Sequence, residues 1–240
     1  MFIAEIGLNH LGSPKRLINY VNYLNKTNID ALTVQIREPE YYSKNPKFEL
    51  DNSDYLKIIK KAKDKGKKFG IAIADVSKIS FFETLNVDFY KIIRNDINNE
   101  ILTDELVKTG KKLIVSTGTA SENEILIFIS KYKNSNFVIN HTQISNDVKD
   151  SNLKAIKTLK KKFNTDISFG NHCNDFNIFY MALAFEPSDI LFYVKENNID
   201  KFPDDEHAVP LNDVGKLVRN MKSLQKALGD GKKQKMEIKI

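Results

Sequence analysis

The residues best able to do chemistry in this chain fall at a few places. There are four histidines and one cysteine in 240 residues. His10 lies just past the apolar run FIAEIG (2–7), and His141 ends FVINHT (137–142). His172 follows DISFGN (166–171), and His207 sits in a loop beyond DILFYV (189–194). Imidazole changes charge near neutral pH, so it suits acid, base or metal-ligand roles. Glu5 stands inside the first apolar run, where a carboxylate is costly unless paired. In FYKII (89–93) Lys91 is flanked by Tyr90 and Ile92 and points the opposite way. Gln35 and Arg37 end a run at 31–36, Asp75 follows one at 69–73, and Arg94 follows the lysine run. Asn171 precedes His172, and Lys195 and Glu196 end the last run. STGT (116–119) sets Ser116, Thr117 and backbone N–H groups at a strand-to-helix junction, a place that suits an anion. Together with Lys91 and Arg94 it suggests a phosphate or carboxylate pocket. Nothing around Cys173 marks its thiol as an activated nucleophile.

Such residues need elements to hold them. Short β-rich runs alternate with helical patterns: strands at 2–7, 31–36, 69–73, 89–93, 112–117, 137–142, 166–171 and 189–194. Helices are expected near 13–26, 53–66, 77–85, 99–110, 121–132, 151–163, 175–185 and 211–228. Ser13 and Pro14 form a helix start, and Ser121 with Glu124 a capping box. Alternation of this kind implies parallel strands with right-handed crossovers. Eight units in about 250 residues make an α/β protein of the (β/α)8 TIM-barrel class. A doubly wound sheet is the alternative, but no G-x-G-x-x-G follows the first strand. One barrel domain over 1–228 and a tail over 229–240 are expected, with longer loops at 37–52 and 196–210. In a barrel, chemistry sits at the C-terminal strand ends. All four histidines, and the polar residues named above, map to that rim.

Composition removes several classes. Apolar residues make up 41% and charged residues 28%, the balance of a soluble globular protein. One cysteine excludes a disulfide framework and a multi-cysteine zinc site. The start MFIAEIGLNH has no signal-peptide pattern, and no apolar run nears the ~18–20 residues of a membrane helix. A reducing cytoplasm is expected. The net charge of +6 comes largely from lysine clusters on helix-like stretches, which read as solvated faces rather than a nucleic-acid surface. No nucleic acid, membrane or nucleotide cofactor is expected.

The stretches AEIGLNHLG (4–12), DALTVQ (30–35), FYKI (89–92), IVSTGTASENEI (114–125), SFGNH (168–172), DDEHAVPL (204–211) and ALGDGK (227–232) resemble, in order, the sialic acid synthase (N-acetylneuraminate synthase) family. The resemblance implies a (β/α)8 barrel that condenses phosphoenolpyruvate with an N-acylated hexosamine, releasing phosphate and a nonulosonate-type 2-keto acid. It implies a divalent metal, manganese or magnesium. By the same resemblance Glu5, Asn9 and His10 match family positions, Lys91 matches a lysine on phosphoenolpyruvate and Ser116 a serine on phosphate. His172 matches the first metal histidine, and Glu206 with His207 match a late acidic-His pair.

This sequence also departs from the family. Thr33 replaces a lysine, Arg94 replaces a serine, and Lys195 stands at the second metal histidine. An ammonium there repels a divalent cation. The family's C-terminal antifreeze-like domain has no counterpart in the match, so a homodimer is one expectation among others. Three readings follow. The first is a phosphoenolpyruvate-dependent synthase. In it Glu5, Lys91, Lys195 and His207 are catalytic, and Asn9, His10, Gln35, Arg94, Ser116, Thr117, Asn171 and Glu206 bind substrate. The second is a degenerate homologue with a binding or regulatory role. The third is a lyase or isomerase on a related keto acid.

Overall fold

The computed structural model describes residues 1–197, 201–233 and 235. Eight parallel strands close into a barrel. They are β1 (Phe2–Gly7), β2 (Ala31–Ile36), β3 (Lys68–Ile73), β4 (Phe89–Ile92), β5 (Lys112–Ser116), β6 (Phe137–Thr142), β7 (Ile167–Gly170) and β8 (Ile190–Lys195). Each pairs with the next, and β1 closes on β8 with Ile3 opposite Leu191 and Glu5 opposite Tyr193. The (β/α)8 expectation therefore holds, and the doubly wound alternative is excluded.

The helices between the strands are α1 (Pro14–Leu24), α3 (Asn52–Lys63), α4 (Ile79–Thr84), α5 (Glu100–Lys108), α6 (Glu122–Tyr132), α7 (Lys154–Phe163), α8 (Asn177–Leu183) and α9 (Leu211–Ala227). α1 starts as the sequence predicts. Ser13 accepts from the N–H of Arg16, Pro14 occupies the first turn, and Leu17, Tyr20, Val21 and Leu24 are buried. The capping box of α6 also forms. Besides short 3-10 turns such as Pro46–Phe48, the loops hold a helix and a strand that were not expected. The loop after β2 contains a short helix, α2 (Pro39–Lys44), begun by Pro39. The loop after β8 returns through a two-residue strand, β9 (Val209–Pro210), which pairs with β8 at Val194 and Lys195.

The main core lies between barrel and helices. A smaller one fills the barrel floor, from Ile3, Ala31, Phe89, Ile114, Val138 and Leu191. Gly70 makes room for it: a Cβ there would sit 2.3 Å from the Phe89 ring. Above this apolar layer the inward positions turn polar, and the site begins. No helix among the described residues is long and apolar enough to cross a membrane.

Candidate active site

Strand alternation sends Glu5, Thr33, Lys91 and Ser116 into the barrel above the apolar floor. Lys91 Nζ donates to both carboxylate oxygens of Glu5, at 2.6 and 2.8 Å, and both residues are buried. The pairing answers the cost of placing Glu5 in an apolar strand.

Above this pair a cavity of about 230 Å³ opens at the C-terminal mouth. Gln35, Lys91, Ile93 and Ser116 line it together with Ile144, His172, Tyr193, Asp204 and His207. Glu5 is not among the lining residues. A wider vestibule of about 600 Å³ adjoins, lined by His172, by Ile144–Asn146 and by the loop from Lys201 to His207. That loop is pinned. Phe202 is buried under the Arg16 guanidinium, 5.6 Å from its ring centre, and Asn9 Oδ1 accepts from the N–H of Asp204. Asp204 reaches the barrel because Gly7 has a positive φ of 56° and no side chain. A Cβ on Gly7 would lie 2.9 Å from the Asp204 carboxylate and 2.9 Å from the Tyr193 ring.

The residues singled out in the sequence divide into groups. Lys91, Ser116, Gln35, His172 and His207 meet in the cavity. Glu206 is exposed on the vestibule wall, hydrogen-bonded by Asn146. Asn9 is a staple, its Nδ2 donating to Val194 O at 2.9 Å. Asn171 spends its amide on a local turn, giving to Cys173 O and accepting from Cys173 N. Thr117 turns away and bonds Asn140 O. His10 lies beneath the turn after β1, with Nδ1 accepting from the N–H of Gly12. His141 faces the helices and contacts Ser151 O. The four histidines thus share an end of the barrel but not a site: His141 is on the helix-facing side of β6, and His10 is held in the turn after β1. Lys195 Nζ gives hydrogen bonds to Asp205, at 2.7 Å to its carbonyl and 2.8 Å to its carboxylate. It anchors the mouth loop and is not among the cavity's lining residues. The side chain of Arg94 lies outside the described residues. The sequence reading missed Ile93, Tyr193, Ile144 and Asp204. Tyr193 was findable, since it shares a strand face with Lys195 and Leu191. Asp204 and Ile144 are brought in by loop folding, which leaves no periodic signal.

Burial sets the electrostatics. His207 is held near pKa 4 by desolvation, then by the positive charges of Lys91 and Lys195. Its ring centre lies 4.5 Å from that of His172, and its Nε2 makes no hydrogen bond. The nearest acid is Asp204, 3.8 Å from Nε2. At neutral pH His207 is therefore an uncharged imidazole in the cavity lining. The donors do not fit a divalent metal: no three His, Cys, Asp or Glu side chains among the described residues converge on one point.

The model of the family described as the NeuB family matches residues 19–233. N,N'-diacetyllegionaminic acid synthase of Campylobacter jejuni is 24% identical, over 98% of this chain and 79% of its own length. Pseudaminic acid synthase of the same species is 24% identical, over 96% and 75%. The crystal structure of an N-acetylneuraminic acid synthetase from Leptospira borgpetersenii, in complex with citrate, superimposes with a TM-score of 0.88 at 26% identity, over 98% of this chain and 87% of that one. A matched span of this extent, on a closed barrel with a polar mouth, decides the matter: the chain belongs to the NeuB family.

Proposed function

We propose that the chain condenses phosphoenolpyruvate with an aldose or N-acyl hexosamine, giving a nonulosonate-type 2-keto sugar acid and phosphate. The observation that carries this is the mouth cavity floored by the buried Lys91 ammonium, with Ser116 beside it, in a NeuB-family barrel. A carboxylate-phosphate finds there a cation and a hydroxyl donor in a poorly solvated place, where charge–charge attraction is strong. The enol carbon forms a bond to the aldehyde carbon, and the aldehyde oxygen becomes a hydroxyl by taking a proton. Water supplies the keto oxygen, and phosphate leaves. The water that supplies the keto oxygen also supplies this proton, and His207, a neutral imidazole in the cavity lining, is the group that relays it. Asp204, in the same cavity lining, accepts from sugar hydroxyls. No step is assigned to a metal, because the donor set does not fit one.

The Lys195–Asp205 pair favours a second reading, a chain that binds the anion but has lost turnover. Phosphate release separates the two. The chain is incubated with phosphoenolpyruvate and a panel of hexoses and N-acetylhexosamines. Release with one acceptor, lost in Lys91→Ala, supports the synthase. Binding of phosphoenolpyruvate without release from any acceptor supports the second reading.

A further inference from the structure

Among the described residues two buried threonine hydroxyls, those of Thr33 and Thr142, make no hydrogen bond, and Thr33 stands in register with Glu5. Thr33 Oγ1 is buried and makes no hydrogen bond. Thr33 is the register partner of Glu5 on the neighbouring strand. Its neighbours in alternation are Ala31 on the barrel floor and Gln35 in the cavity lining, so it faces the barrel interior. Adjacent strands lie about 4.8 Å apart, so Thr33 and Glu5 enter the barrel from neighbouring strands at the same height. A buried donor left unmatched costs stability, and such groups call for a reason.

The reason lies in what an arriving anion does to Lys91. Two of the three ammonium protons are committed to Glu5. A carboxylate-phosphate in the cavity meets the ammonium with a second carboxylate directly behind it. Turning Lys91 towards the ligand strengthens the new contact. It also strips Glu5 of its partner, and an unpaired buried carboxylate is unfavourable. The hydroxyl of Thr33 is the donor in place to take over.

We infer that Thr33 is a positioning residue: it receives Glu5 when Lys91 exchanges that carboxylate for a bound carboxylate-phosphate. The inference rests on the reading of the cavity as an anion site. Lys91 then works as a switch between two anions, and Thr33 makes the switched state affordable.

Titration calorimetry with phosphoenolpyruvate tests this in Thr33→Val, Thr33→Ser and Glu5→Gln, alongside thermal melts of the free chains. Thr33→Val removes only an unbonded hydroxyl, so its free-state melting temperature stays level or rises. Its dissociation constant rises about tenfold or more, the worth of a hydrogen bond to a charged group. Thr33→Ser keeps the wild-type affinity. Glu5→Gln binds more tightly, and adding Thr33→Val to it changes nothing further. Equal affinity in wild type and Thr33→Val, or weaker binding in Glu5→Gln, overturns the exchange. Absence of heat in the wild-type chain itself is a different result: it removes the proposed substrate, and this inference with it.

Discussion

Lys91 Nζ sits 2.6 Å from one oxygen of Glu5 and 2.8 Å from the other, across 86 positions of sequence. The two strands that carry them, β1 and β4, are not neighbours in the sheet. They meet only because the barrel closes. The contact has two consequences. It makes a buried carboxylate tolerable, and it ties the cation at the cavity floor to a competitor.

Cutting one side of this pair leaves the other charged and alone. Lys91→Met is expected to abolish phosphoenolpyruvate turnover and to destabilise the fold by about 3–5 kcal/mol. The double variant Lys91→Met/Glu5→Gln recovers most of that stability and none of the activity. Denaturant unfolding of the three chains checks it; equal stability of the single and double variants contradicts the coupling.

Acid weakens the fold through buried imidazoles, His10, His141 and His207, all with pKa lowered by desolvation. Burial lowers the pKa of His10 and of His207 from 6.5 to about 4. The unfolded chain therefore binds more protons between those values. The stabilisation is full above pH 6.5 and is lost as pH falls towards 4, on the order of 3 kcal/mol for each of His10 and His207. Melting temperatures from pH 7.5 to 4 should fall through this window. The fall should flatten in His10→Gln. An unchanged slope in that variant shows that His10 does not carry the effect.

Asn9 links the end of β8 to the mouth loop through Val194 O and the N–H of Asp204. Asn9→Ala removes the side chain that joins these two groups. A stability loss of about 1–3 kcal/mol is expected. In the synthase reading KM for the sugar rises more than kcat falls. Steady-state kinetics decides; a fall confined to kcat places Asn9 in the chemical step instead.

Lys195 is bonded to Asp205, not to the cavity. Lys195→Met should leave phosphoenolpyruvate affinity within about twofold, since the pair is half-buried at the rim and outside the cavity lining. A loss of a hundredfold or more in kcat would restore Lys195 to the chemistry.

Crowding at the barrel floor gives a test of packing alone. Gly70→Ala forces a Cβ to within 2.3 Å of Phe89. A loss of about 1–3 kcal/mol is expected from such overpacking, measured by chemical denaturation. No loss would mean that the floor is looser than its contacts imply.

The sequence by itself determined the architecture. Strands and helices announce themselves in periods of two and 3.6, and caps such as Ser13 and Ser121 mark where helices begin. Alternation also settled that Lys91 points inward, because orientation on a strand is a local property. The motif stretches carried the family for the same reason: they are short and contiguous. The partners of each side chain were not legible. That Lys91 meets Glu5 depends on barrel closure. That Lys195 meets Asp205, and that Asp204 enters the cavity over Gly7, depends on a loop folding back across the mouth. His10, His141, His172 and His207 all map to one end of the barrel, yet only His172 and His207 share a cavity. Which neighbours a polar group finds is a matter of long-range contacts, and these leave no local pattern to read. The unbonded hydroxyl of Thr33 shows the difference most sharply. In the sequence it is one β-branched residue in an apolar run; inside the barrel it is an unbonded donor in register with Glu5.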